Sequence, residues 1–163
     1  LCISANIDDR TVVKSTKLVN DLKYVVMIPD FLVATKKSRG TLPDFVSRQD
    51  AASNISSSLM LYHSLVAGDF SELKYGVADK LHQPYRKSYI DGFDDIFEKT
   101  YENGSLATYL SGSGPTIMSI IEGDGKEFAY KMENFFRLSS RKWRCTVLEC
   151  DNVGSVVWET PDK

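Results

Sequence analysis

Residues 105–109 and 117–121 are β-prone runs joined by Leu110-Ser-Gly-Ser-Gly-Pro-Thr116. A link this short reads as a tight hairpin turn, because a parallel crossover needs a dozen residues or more. The stretch therefore sets an antiparallel pair inside whatever sheet the chain builds. Gly112 and Gly114 lack a Cβ, so they reach backbone angles closed to other residues and let a ligand come close. Ser111, Ser113, Thr116 and the loop amides offer donors suited to an anion. Gly and Ser are also ordinary turn residues, and at this point both readings stand.

Around that hairpin the pattern alternates between two periods. Residues 1–6 and 11–18 form a second hairpin through Ile-Asp-Asp-Arg, and a lone hairpin is marginal in water unless it joins a larger sheet. Residues 23–29 are a continuous apolar run ending at Pro29, as a buried strand does, and residues 30–43 read as irregular and basic. Ser47-Arg-Gln-Asp50 is a helix-start signature. Ala52, Ile55, Leu59, Tyr62 and Val66 then recur at steps of three and four, a stripe of the kind that faces a core. Gly68 ends this helix. A second opens at Asp69 with the stripe Phe70, Leu73, Val77 and Leu81, and Pro84 breaks it by disfavouring helical geometry at Gln83. Phe93, Ile96, Phe97 and Thr100 line a third, stopped by Asn103-Gly104. After the central hairpin comes a helix carrying Phe128, Met132, Phe135 and Phe136. Trp143, Cys145 and Val147 alternate on one face of a strand, and a last strand is expected through Val156 and Trp158.

Without the first hairpin, the order is strand, helices, strand, strand, helix, strand. That is the split βαβ pattern of a ferredoxin-like antiparallel sheet, with three helices in the first crossover. The fold class is α+β, with helices on one face.

At 163 residues the length suits one domain. Lys and Arg total 20 against 22 Asp and Glu, a net charge of −2, so no nucleic-acid partner is expected. No apolar run approaches ~20 residues, so no membrane partner is expected either. Cys2, Cys145 and Cys150 cannot all be bridged, and reduced thiols in a cytoplasmic protein are the expectation. His63 and His82 show no ligand spacing, so no metal is expected on this chain.

Three polar clusters interrupt the scaffold. In residues 34–43, Thr35 offers a hydroxyl and Arg39 a planar fork matching a carboxylate or phosphate; the alternative is a solvated basic loop. In His82-Gln-Pro-Tyr-Arg86, Arg86 supplies a second fork and His82 an acid, base or donor. Alternatively, both satisfy free carbonyls at a helix end. The third cluster is the glycine loop, where no His–Asp pair near Ser111 or Ser113 supports a nucleophilic serine. Asn54 lies inside a helix, where it costs propensity, and facing water is its default. Two arginine forks and an amide-rich loop suggest a site for a small anionic ligand.

Thr35-Lys-Lys37 with Ser38-Arg-Gly-Thr-Leu-Pro43, then His82-Gln-Pro-Tyr-Arg86, then the glycine stretch resemble, in that order, the C-terminal half of the homoserine kinases. These belong to the GHMP small-molecule kinase superfamily, and the resemblance covers about residues 20–160. It implies transfer of the ATP γ-phosphoryl group to the side-chain hydroxyl of L-homoserine, a step in threonine biosynthesis. It also implies that Arg39 and Arg86 grip the α-carboxylate, with Thr35 close by. Gly112, with Ser111, Ser113, Gly114 and Thr116, would shape the site between substrate and phosphates. The superfamily's nucleotide motif, Pro-x-x-x-Gly-Leu-Gly-Ser-Ser, is absent from this chain. Residues 1–20 are therefore expected to be a hairpin remnant of an N-terminal ATP-binding domain, and residues 21–163 the substrate-binding domain. ATP and Mg²⁺ belong to the full-length enzyme and neither is expected on this chain alone. The catalytic groups would lie in the N-terminal domain, the isolated chain would be inactive, and the exposed hairpin edge would suit a homodimer. The alternatives are a stand-alone amino-acid-binding regulatory domain and another GHMP kinase, acting on a sugar or mevalonate.

Overall fold

The computed structural model describes residues 1–18 and 21–158, apart from the Lys37 side chain. In chain order the elements are β1 (Cys2–Ile7), β2 (Arg10–Ser15), β3 (Lys23–Pro29), α1 (Thr35–Arg39), α2 (Arg48–Ala67), α3 (Leu73–Gly76) and α4 (Gln83–Arg86). A short 3-10 turn leads to α5 (Phe93–Glu102), β4 (Ala107–Leu110), β5 (Ile117–Ile121), α6 (Lys126–Leu138) and β6 (Trp143–Leu148). Four strands form one sheet in the order β4-β5-β3-β6. All neighbours run antiparallel, with Val25 opposite both Ser119 and Val147. This is the ferredoxin-like arrangement the element order predicts.

Expecting helices on one face describes only part of the molecule. Val25, Met27, Ile117 and Ile121 lie under α5 and α6, against Ile96, Met132 and Phe136. The opposite face, with Tyr24, Ala107, Tyr109 and Ile120, meets Leu61 and Leu65 of α2 and Leu73 of α3. The central strands are apolar at consecutive positions, so both faces need cover. On the α5 side a chain of hydroxyls fixes the register. Thr108 Oγ1 lies 2.7 Å from Thr100 Oγ1 and 2.8 Å from Ser119 Oγ.

Helix α2 starts and stops where expected. Ser47 Oγ accepts from the Asp50 amide, and Gly68 closes the helix at φ +74°. Its inward face is the surprise. Ile55 is 64% exposed and Leu59 65%, whereas Ser57, Ser64 and Leu65 are buried. The reason is close contact with α3: a Cβ on Gly76 would sit 2.8 Å from the Leu61 Cα. Short side chains on the contact face let the two backbones approach, and bulkier residues are left outside.

Four other expectations change. Residues 35–39 are helical rather than irregular. The second helix shrinks to Leu73–Gly76, with Phe70 and Val77 still packed on the core. Gln83 and Pro84 lie inside a new short helix, which Pro tolerates in its first turn because the missing N–H would have no partner there. Finally, residues 152–158 form no strand, and Val156 and Trp158 are exposed. Asp151 Oδ1 instead accepts from the amides of Val153 and Gly154, turning the chain after β6. Among the described residues, strands β1 and β2 pair only with each other, and every residue in them is exposed.

Candidate functional site

The glycine loop closes on itself through two backbone bonds. The Ser111 amide donates to the Thr116 carbonyl at 2.8 Å, and the Gly114 amide to Ser111 at 3.0 Å. Gly112 has φ +57° and Gly114 φ +75°, both in the left-handed region that favours glycine. A Cβ on Gly112 would meet nothing within 4 Å, so the space beside it is open. On Gly114 it would press on Leu110 Cδ1 at 3.0 Å. The hydroxyls of Ser111, Ser113 and Thr116 have no hydrogen-bond partner among the described residues.

Two distant segments dock on consecutive carbonyls of this loop. Ser38, fully buried in α1, donates its hydroxyl to the Ser113 carbonyl at 2.9 Å. Arg86, at the end of α4, donates NH1 to the Gly112 carbonyl at 2.9 Å. The predicted clusters therefore meet at one place. Thr35 and Arg39 share the short helix anchored by Ser38, but both are exposed and make no hydrogen bond to the loop. Ser38 escaped the sequence reading because a serine between basic residues looks like a turn residue.

The Arg86 guanidinium is only partly used. Its Nε is buried and has no partner among the described residues. A buried charged donor without an acceptor is costly, and each such case calls for an explanation.

A polar framework holds α4. Asp79 Oδ1 accepts from the amides of Leu81 at 2.8 Å and His82 at 3.1 Å, and Oδ2 accepts from Gln83 at 2.8 Å. Asn54, expected to face water, donates instead to Asp79 Oδ1 at 3.1 Å and accepts from the Lys80 amide at 2.7 Å. Burial pushes the Asp79 carboxyl up, but the Asn54 donor and the backbone amides outweigh it and hold it below its ordinary value. His82 precedes α4, with a half-exposed ring whose Nδ1 lies 3.4 Å from Asp79 Oδ1. It is thus at the start of a helix, not among carbonyls at an end. Gln83 Oε1 accepts from the Leu110 amide at 2.6 Å, where β4 enters the glycine loop.

A cavity of about 420 Å³ lies between α2–α3 and the sheet, with Asp79, Gln83 and Leu110 in its wall. Arg39, Arg86 and residues 111–116 do not line it. Among the described residues no group of three or more His, Cys, Asp or Glu side chains is placed to hold a metal, and no helix is long and apolar enough to cross a membrane.

Residues 61–138 match the family model for GHMP kinases C terminal. Over 138 residues the chain is 44% identical to homoserine kinase of Clostridium acetobutylicum, covering 85% of this chain and 47% of that protein. It is 35% identical over 150 residues to homoserine kinase of Clostridium botulinum, covering 92% and 50% respectively. The chain thus spans about half the length of these curated relatives. A crystal structure of homoserine kinase from Cytophaga hutchinsonii superposes with a TM-score of 0.77 at 24% identity, over 84% of this chain and 44% of that one. Leishmania major mevalonate kinase, solved with R-mevalonate, gives 0.63 at 12% identity, over 84% and 44%. Both structural likenesses speak to fold.

Proposed function

We propose that the chain, whose residues 61–138 match the family model for GHMP kinases C terminal, is the substrate-binding part of an ATP-dependent homoserine kinase. The observation that carries the reading is the meeting of α1 and α4 on adjacent carbonyls of the glycine loop. One arginine there is held by a single nitrogen and keeps an unpartnered Nε.

In this reading Arg86 and Arg39 take the α-carboxylate of L-homoserine, with Thr35 beside them. Each charged hydrogen bond is worth roughly 1.5–3 kcal/mol. Fixing the carboxylate directs the side-chain hydroxyl at the other end of the amino acid toward the phosphoryl donor. The loop hydroxyls of Ser111, Ser113 and Thr116, with Gly112 and Gly114, border the space between substrate and phosphates. Such placement is most of what phosphoryl transfer asks of a protein, since alignment and charge stabilisation dominate its catalysis. In this reading ATP, Mg²⁺ and the catalytic groups belong to the N-terminal domain of the full-length enzyme. The hairpin of β1 and β2 is read as belonging to the sheet of that domain, and its exposed edge would suit a second copy. The cytoplasm is the proposed location.

The test uses the full-length enzyme. Arg39→Ala and Arg86→Ala should each raise the homoserine KM at least tenfold, about 1.4 kcal/mol, with the ATP KM changed less. An unaltered homoserine KM removes that residue from the site, and turnover of mevalonate or a sugar in place of homoserine rejects the substrate assignment. The purified chain by itself should give no homoserine-dependent ADP. Release of ADP would show that no second domain is needed.

A further inference from the structure

Resting on the homoserine-kinase reading, we infer that Asp79 is a positioning residue for Arg86, setting the guanidinium at the glycine loop through the short helix between them. The carboxylate gathers three consecutive amides, those of Leu81, His82 and Gln83, at 2.8–3.1 Å. Those amides are the last before α4 and the first within it, so the carboxylate fixes the direction in which α4 leaves the loop. Arg86 stands three residues beyond the last of them, less than one helical turn away. A four-residue helix has too few internal bonds to hold a direction unaided.

Two further contacts make the arrangement specific. Asn54 bridges Asp79 to the long helix α2, giving through Oδ1 to the Lys80 amide an acceptor and through Nδ2 to the carboxylate a donor. Gln83 ties the first turn of α4 to the Leu110 amide at 2.6 Å. Arg86 then reaches the Gly112 carbonyl two residues farther along the same segment. The guanidinium is thus located against the loop by a bond at each end of α4. In this scheme Asp79 acts by holding α4 through the amides it accepts from.

The experiment measures both KM values and kcat of the full-length enzyme carrying Asp79→Asn, Asp79→Ala, Arg86→Ala and the doubles of each with Arg86→Ala. Asp79→Ala should raise the homoserine KM at least fivefold while the ATP KM stays within twofold. Asp79→Asn, which keeps one acceptor oxygen, should raise it less. In the Arg86→Ala background, either change should add less than twofold, because the group it positions is gone. Equal effects on both substrates, or full additivity with Arg86→Ala, overturn the inference, since a general structural role predicts those outcomes. An Arg86→Ala enzyme with normal homoserine KM overturns the underlying site reading and this inference with it. If the Asp79 variants do not fold, Asn54→Ala takes their place. It should raise the homoserine KM two- to threefold in the parent and leave it unchanged beside Arg86→Ala; no rise in the parent overturns the inference.

Discussion

The thiol of Cys145, on β6, is pushed up to about 12 by burial, with the nearby Glu133 charge acting in the same direction. Cys2 lies exposed on β1. At about pH 8 a thiol reagent should therefore label Cys2 rapidly and Cys145 only as the sheet unfolds, because the thiolate is the reactive form. Equal labelling rates in the native state would contradict the burial. The same shift has a stability consequence. The thiol ionises near 9.0 in an unfolded chain, so above that value the unfolded state binds fewer protons and stability falls as pH rises. Tyr109, held at about 12 mainly by burial, adds a loss of the same sign from 10.0 upward. The denaturant midpoint should decline steadily over this range, and a flat profile would show that these groups stay accessible. Single residues also mark what the sequence makes legible. Arginine forks and paired glycines are chemically distinctive, so Arg39, Arg86 and Gly112 stand out before any fold is known. Ser38 and Asp79 do not. Their roles depend on partners 75 and 25 positions away, and nothing local separates them from surface residues.

At the level of elements, strand order is legible because continuous apolar runs such as Lys23–Pro29 fit little else. Helix orientation is not. A three-and-four spacing shows that α2 has an apolar stripe but does not say which face meets the sheet. Here the small residues of Ser57 and Ser64 win, because α3 crosses at Gly76 with its backbone against Leu61. Gly76→Ala should therefore destabilise the chain by about 1–3 kcal/mol through overpacking, despite a gain of up to ~1 kcal/mol in helix propensity. Chemical denaturation measures the difference, and a stabilised variant would mean that the helices are not in contact. The inverted face predicts a matching contrast. Leu65→Ala, at a position 6% exposed, should cost about 2–5 kcal/mol. Leu59→Gln, on the outer stripe, should stay within ~0.5 kcal/mol.

For the whole molecule, the sheet carries helices on both faces, while among the described residues strands β1 and β2 have neither a covered face nor a third strand. The two parts do not share an energetic fate. Amides of β1 and β2 need only a local opening to meet water, whereas those of β3 and β5 wait for the sheet itself. Hydrogen exchange in the hairpin should run at least about a hundredfold faster, corresponding to roughly 3 kcal/mol less protection, and comparable rates would show that the hairpin is held by the sheet. Melting followed through a reporter on the hairpin should then precede melting followed through Trp143, so one transition temperature cannot stand for the chain. Residues 2–15 would behave as an independent thermometer attached to a more durable body.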